Sequence, residues 1–248
     1  MDIVYLVREG ERNEELRHSL RSLVNLPHDA VWIVGHRPSW VDAARVFHIP
    51  TTQGHETAAK HENTWRAWWS MAEARGISDD FVLMNDDFFI MRQKIGITNE
   101  HAGPLLEWVD AMGNIRTTAR MRHTIAALAA RGRVPSPLLA YETHSPMVLH
   151  RPALAEVMAS GQAYRNRTLA GPLCKRSLYG NYVGLPAVYA PDLKVRDNRS
   201  VPTGAAIIST SDTTFNYGRV GQHIARAFPE PSPYERVRPV MPARQALA

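Results

Sequence analysis

Cysteine is nearly absent: Cys174 stands alone in 248 residues. That excludes an internal disulfide framework and any zinc cluster built on thiolates. No apolar run approaches the ~20 residues a membrane span requires, so no span is expected. The opening MDIVYLVREGERNEELRHSL carries an acid at position 2 and turns polar too early for a secretory signal. A cytoplasmic protein is expected. The common signatures of nucleotide and hydrolase sites are missing as well. There is no G-x-x-x-x-G-K-[ST] loop, and REGERNEE follows the first apolar run where a dinucleotide site has G-x-G-x-x-G. Neither H-E-x-x-H nor G-x-S-x-G occurs, which counts against zinc proteolysis and acyl-enzyme hydrolysis. No internal repeat and no Pro/Gly linker divides the chain. One domain over 1–228 is expected, with a donor half at about 1–92, an acceptor half at about 93–228 and a Pro-rich tail at 229–248.

The composition is that of an ordinary soluble domain, with a formal charge of +5 that favours a polyanionic partner such as a nucleotide, a phosphate or nucleic acid. The charge is spread along the chain, so it selects none of these. The first ninety residues alternate strand and helix signals. DIVYLV (2–7), AVWIVG (30–35), ARVFHIP (44–50) and DFVLM (80–84) read as buried strands. Residues 12–23 form a helix with Leu16, Leu20 and Leu23 on one face and Asn13 as N-cap. Residues 56–76 form another, with Trp65, Trp68, Trp69 and Ala72 on its apolar side and Gly76 as C-cap. Strands alternating with helices predict an α/β fold with a mostly parallel, doubly wound sheet flanked by helices, followed by an irregular C-terminal part.

In such sheets ligands bind outside the carboxyl ends of the strands. There the sequence places Asn85-Asp86-Asp87, between two pieces of apolar core. Two carboxylates and an amide oxygen suit a hard Mg²⁺ or Mn²⁺ that also takes phosphate oxygens. The alternative is a loop whose acids cap the next element or pair with Arg92. Asp212, at the end of the run AIISTSD, is a second metal or acceptor ligand or else a cap, as Ser211 is. Lys60, Asn63 and Arg66 fall at i, i+3 and i+6 opposite the tryptophans, on a face that is either solvated or touches phosphate and sugar. Arg116, Arg120 and Arg122 on a helix at 114–133 offer a contact for an anionic acceptor or a basic surface. VPSPLL (134–139) breaks the chain. RNRTLAGPLCKRSLYGNYVG (165–184) reads as an acceptor-side loop, with Arg176, Tyr179, Asn181 and Tyr182 facing a sugar or base.

IVYLV…NEELRHSLRSL…AVWIVGHRPSWV…GISDDFVLMNDDFFI resembles the Stealth-type sugar-phosphate transferases, which pair an ELR-x-S-L-R-S helix with a P-S-W-L turn and an N-D-D strand end. The resemblance is good over 2–92. THSPMVLHRPAL (143–154) is similar to the family's His-x-Pro block and STSDTTFN (209–216) to its last acidic block. It implies a GT-A-like core that takes a nucleoside-diphosphate sugar. Asp86 and Asp87, with Asn85, would hold the metal and donor diphosphate. Arg17 and Arg21 would face the donor or anchor their block, where a plain helix surface would pair them with Glu14 and Glu15. His144 would be the base for the acceptor hydroxyl, with Asp212 as its alternative. The family moves a hexose 1-phosphate. This chain is short, and its first strand ends LVREG where the family has a T-W-V-D-like end. Glycosyl transfer to a hydroxyl on DNA, protein or polysaccharide is therefore the expected reaction, with sugar-phosphate transfer as the alternative. A nucleic-acid- or glycan-binding module without catalysis is a third class, but it does not explain carboxylates facing a phosphate ligand without a cation between them.

Overall fold

The computed structural model describes residues 1–55, 59–111, 115–132, 136–168 and 171–236. Positions 56–58, 114 and 133 of the predicted helices, 134–135 of the break, 169–170, the tail beyond 236 and the Arg116 side chain lie outside the described residues.

Four short strands form the parallel heart of the molecule: β1 Asp2–Val7, β2 Val31–Gly35, β3 Val46–Ile49 and β4 Asp80–Asn85. β7, Met147–His150, joins antiparallel at the edge, so the order is β3-β2-β1-β4-β7. Alternation along these strands builds two cores. Ile3, Tyr5, Val31, Ile33, Val82 and Met84 face α1, Glu14–Ser22, and its Leu16 and Leu20. Val4, Val34, Phe81, Leu83 and Leu149 face α2, Ala59–Glu73, and α5, Arg151–Thr168. Helices thus cover both faces, as expected of a doubly wound sheet. Asn13 is the N-cap of α1 as predicted, accepting from Leu16 N at 3.0 Å.

The registers bring the carboxyl ends of β1, β2 and β4 level, with Val7 opposite Gly35 and Leu6 opposite Asn85. Gly35 has φ +115°, and a Cβ there would stand 2.1 Å from Val7 O. Only glycine lets the two strand ends approach so closely.

Beyond β4 the chain hooks. Asp86 and Asp87 form the turn, and β5, Phe88–Ile90, leaves the main sheet to pair antiparallel with β9, Ile207–Ser209. Phe88 and Ile90 enter the α1 core, while Phe89 packs with Ile208, Phe215 and Ile224. The hook is why two acids sit between two buried runs: both runs are core, and the acids are the corner.

Several expectations need correction. Gly76 lies three residues past the end of α2 and is no C-cap; it lets the chain pass the Trp32 ring, which a Cβ would meet at 2.8 Å. The stretch 165–184 is not a loop. Its start belongs to α5 and its end forms α6, Lys175–Val183, closed by Gly184 in the left-handed conformation. Irregular chain is instead concentrated at 190–206, before β9 and the helices α7, Asp212–Tyr217, and α8, Arg219–Ala227. The remaining helices are α3, Leu105–Ala111, and α4, Ile115–Ala129, and a small parallel pair joins β6, Glu100–His101, to β8, Val188–Tyr189. No described helix is long and apolar enough to cross a membrane.

Candidate active site

Four carboxylates and two cations meet at the carboxyl edge of β1 and β4. Asp86 accepts from Asn13 Nδ2 at 2.9 Å. Burial, and after it the neighbouring Asp87, pushes the Asp86 carboxyl up to about 6 against the pull of Asn13 and Arg8. Asp87 Oδ2 accepts from Lys194 Nζ at 2.8 Å, and Thr210 N donates to the Asp87 carbonyl at 3.1 Å. Asp87 Oδ1 is buried with no hydrogen-bond partner. Asn85 is half-buried, and no described hydrogen bond uses its side chain.

Asp212 begins α7, whose N-cap is Ser211 in a capping box with Thr214. Its carboxylate pairs with Arg8, which holds it below the usual carboxylate range. Glu15, in the first turn of α1, is buried and accepts from Thr210 Oγ1 at 2.7 Å. Burial raises the Glu15 carboxyl, and so does the Asp212 carboxylate hydrogen-bonded to it. The proton of this pair therefore sits on Glu15. That leaves three carboxylates, Asp86, Asp87 and Asp212, with Arg8 and Lys194 paired to two of them and Arg176 close enough to act on Asp87.

Among the described residues, no group of three or more His, Cys, Asp or Glu is arranged to hold a metal. Asp86 and Asp87 supply two carboxylates at most. Mg²⁺ and Mn²⁺ are commonly held by one or two carboxylates, with substrate phosphates completing the shell. The unpartnered Asp87 Oδ1 fits that role, since a buried acceptor with no donor calls for a counterpart. The residues present are therefore compatible with a divalent ion shared with a diphosphate.

His144 lies in the loop before β7. The β4–β7 register ends with Leu83 opposite Met147, three residues beyond His144. Its Nδ1 meets Asp192 Oδ1 at 2.8 Å. Burial acts to raise Asp192, but the bonds from His144 and Arg196 outweigh it and hold the carboxyl far below its ordinary range. A carboxylate accepts only, so Nδ1 is the donor to Asp192, and Nε2 is the ring nitrogen left to meet an acceptor hydroxyl. Asp192 also accepts from Lys194 N at 3.1 Å, which ties the His144 pair to the loop whose Lys194 reaches Asp87.

Arg176, in the first turn of α6, forms the floor. It is buried, donates from Nη1 to Ser145 O at 2.7 Å, and stands 5.7 Å from the Phe88 ring centre. Its Nη2 has no partner. Burial lowers its pKa, with Glu142 and Asp87 acting the other way.

Other expected site residues are engaged elsewhere. Arg21 grips both oxygens of Glu235, at 2.7 and 2.9 Å, and donates to the Phe228 and Pro229 carbonyls. Arg17 pairs with Glu14 at 3.5 Å and stacks over the Trp40 ring at 4.5 Å. Both anchor the block rather than reach the Asp pair. Asn63 bonds Gly54 N and O, and Arg66 reaches Thr52 O, so this face of α2 braces the loop carrying Gln53, whose Nε2 donates to Val7 O. Lys60 is exposed. Tyr179 is no acceptor contact: it is 1% exposed in the core and its hydroxyl accepts from His150 N. Asn181, also buried, binds Leu139 N and O and Ser177 O. Tyr182 donates to Glu156 at 2.6 Å with Arg131 over its ring. Arg92 reaches Thr203 O and does not pair with the Asp hook.

Arg8, Asn13 as a partner of Asp86, Glu15, Asp192 and Lys194 were missed as site residues. Only Asn13 and Glu15 had a local signal, as first-turn residues of a helix following β1.

No family model and no curated protein sequence matches the chain. Solved structures do resemble it. The galactosyltransferase LgtC, in complex with donor and acceptor sugar analogues, gives a TM-score of 0.52 at 9% identity over 96% of this chain and 98% of that chain. Mouse xyloside xylosyltransferase 1 in its apo form gives 0.38 at 10% identity, over 88% of this chain and 94% of that chain. The apo glycosyltransferase GlyE of Streptococcus pneumoniae gives 0.47 at 7% identity, over 91% of this chain and 59% of that chain. At such identities the likeness to LgtC speaks for the fold: the chain has the mixed α/β fold, with a mostly parallel central sheet and flanking helices, of the GT-A glycosyltransferases.

Proposed function

We propose that the protein is a metal-dependent glycosyltransferase moving a sugar from a nucleoside-diphosphate sugar to an acceptor hydroxyl. The observation that carries this reading is the Asp86-Asp87 hook at the carboxyl end of β4, with one buried oxygen of Asp87 unpartnered. The GT-A fold supports it, and LgtC was solved with donor and acceptor sugar analogues. The acceptor hydroxyl is carried by DNA, protein or polysaccharide.

Asp86 and Asp87 would hold Mg²⁺ or Mn²⁺, which would supply positive charge to the diphosphate leaving group. Asn13 keeps Asp86 oriented, and Lys194 adds positive charge beside Asp87. His144 Nε2 takes the acceptor proton while Asp192 steadies the imidazolium. Asp212 is the weaker candidate base, because Arg8 stabilises its ionised form.

Sugar-phosphate transfer is the second reading. The two blocks that resemble the Stealth-type proteins are packed together, since Ser39 N and Trp40 Nε1 both donate to Glu11 and Arg17 stacks on Trp40.

Asp87→Asn tests the metal role, keeping the shape while removing a ligand charge. It should abolish Mn²⁺- or Mg²⁺-dependent donor turnover with little change in melting temperature. Turnover that survives chelation, or an unfolded variant, would contradict the metal role.

A further inference from the structure

Lys175 and Arg176 are adjacent in the first turn of α6 but meet different neighbours. Arg176 forms the floor beside Phe88. Cys174 N, next to Lys175, donates to Thr124 Oγ1 at 2.9 Å, one turn of α4 from Arg120, so Lys175 lies beside Arg120, with Glu142 and Glu62 also near. No described hydrogen bond or ion pair uses its ammonium, and it is half-buried. Arg120 likewise has no carboxylate in ion-pair range among the described residues. Its Nη1 packs on the His61 imidazole, its Nη2 donates to Thr117 Oγ1 at 2.9 Å, and its Nε is buried without a partner.

Glu62 is bound by Arg165, and Glu142 accepts from Ser177 N at 3.1 Å at the start of α6. Burial first, then the cations Arg120, Lys175 and Lys60, drives the His61 imidazole down to about 4. His61 is neutral, and both of its ring nitrogens lie against Arg120 Nη1. Two cations brought together with no carboxylate in ion-pair range among the described residues, beside a neutral imidazole, form a receptor for an oxyanion.

The position decides whose oxyanion it is. α2 follows the parallel strand β3, so its first turn, with Lys60 and His61, lies at the carboxyl edge of the sheet. α6 brings Lys175 there from the β7 side, beyond Arg176. The donor diphosphate belongs at the Asp86-Asp87 hook. We infer that Arg120, Lys175 and His61 bind a phosphate or carboxylate group of the acceptor, which makes the acceptor an acidic or phosphorylated sugar. This rests on the transferase reading for its purpose but not for the binding itself.

Inorganic phosphate, titrated into the full chain at low ionic strength and followed by NMR, is the probe. The unaltered protein should bind it saturably at one site. Lys175→Met and Arg120→Gln should each weaken binding at least tenfold, and Lys175→Arg should restore it to within threefold. Melting curves identify any variant that fails to fold, in which case Lys175→Arg and the other variant decide. Saturating UDP should not displace the phosphate. Absence of saturable binding, variants that bind like the unaltered protein, or displacement by UDP would each overturn the inference, the last by assigning the anion to the donor. Mn²⁺-dependent consumption of a nucleotide sugar by the unaltered protein is measured separately. Phosphate binding without it would count against the transferase alone, and consumption without phosphate binding against the anion site alone.

Discussion

Asn13 holds Asp86 with the same side chain that starts α1: Nδ2 donates to Asp86 Oδ2 at 2.9 Å while Oδ1 accepts from Leu16 N at 3.0 Å. It does so from a backbone φ of 22°, a region that asparagine tolerates better than most residues. The orientation of the acidic hook is thus set by the cap of a neighbouring helix. Asn13→Ala should cost about 1–2 kcal/mol in a denaturant titration through loss of the cap. It should also weaken Mn²⁺ binding, because Asp86 loses the side-chain amide that orients it. An unchanged metal affinity in the folded variant would disconnect Asn13 from the site.

Arg21 and Glu235 fasten the C-terminal segment to α1 with two bonds, and Glu235 is only 9% exposed at its side chain. Burial alone would raise the Glu235 carboxyl, yet Arg21 and the Ser232 amide outweigh it and the net shift is downward. A depressed folded pKa means stability that is present above the unfolded value of about 4.3 and is lost as pH falls through the lower folded value. Glu235→Gln should therefore destabilise by about 1–3 kcal/mol at pH 7, the range for a hydrogen-bonded charge. The gap between variant and parent should close as pH drops below about 4. A gap of the same size at pH 3 and pH 7 would show that Arg21 is not its source.

The sheet was legible in the sequence because β1, β2 and β4 are short apolar runs separated by a well-capped helix and a Trp-rich one, and local pattern suffices there. The Asp86-Asp87 corner was legible for the same reason, as acids at a strand's end. Residues 165–184 were misread because Gly180 and the Tyr-Gly-Asn-Tyr pattern look like a turn. In the fold Gly180 is a helical residue against the Tyr141 ring, where a Cβ would stand 2.5 Å from Tyr141 Cδ2. Tyr179 and Asn181 then point into the core. Lys194 and Asp192 carry no local signal, since they reach Asp87 and His144 from 107 and 48 residues away. Such long-range pairings are set by how β9 returns to β5, which no spacing in the sequence announces.

Asp192 fixes His144 for proton transfer. His144→Ala should lower turnover by ~10²–10⁴, the usual size of general acid–base catalysis. Asp192→Asn should lower it less, since the ring keeps a partner at Nδ1 but loses the carboxylate that fixes it. Parent-like turnover in His144→Ala would exclude His144 as the base and leave Asp212.

The bond that is made can be read from the nucleotide that leaves. Attack at the anomeric carbon releases a nucleoside diphosphate, and attack at the β-phosphorus releases a nucleoside monophosphate. The protein is incubated with a panel of nucleotide sugars, Mn²⁺ and acidic or phosphorylated sugar acceptors, and the nucleotides are separated by chromatography. Glycosyl transfer predicts a nucleoside diphosphate as the primary product, formed only with metal and lost in Asp87→Asn. A nucleoside monophosphate as the primary product would contradict it in favour of sugar-phosphate transfer, and no nucleotide release from any donor would contradict both.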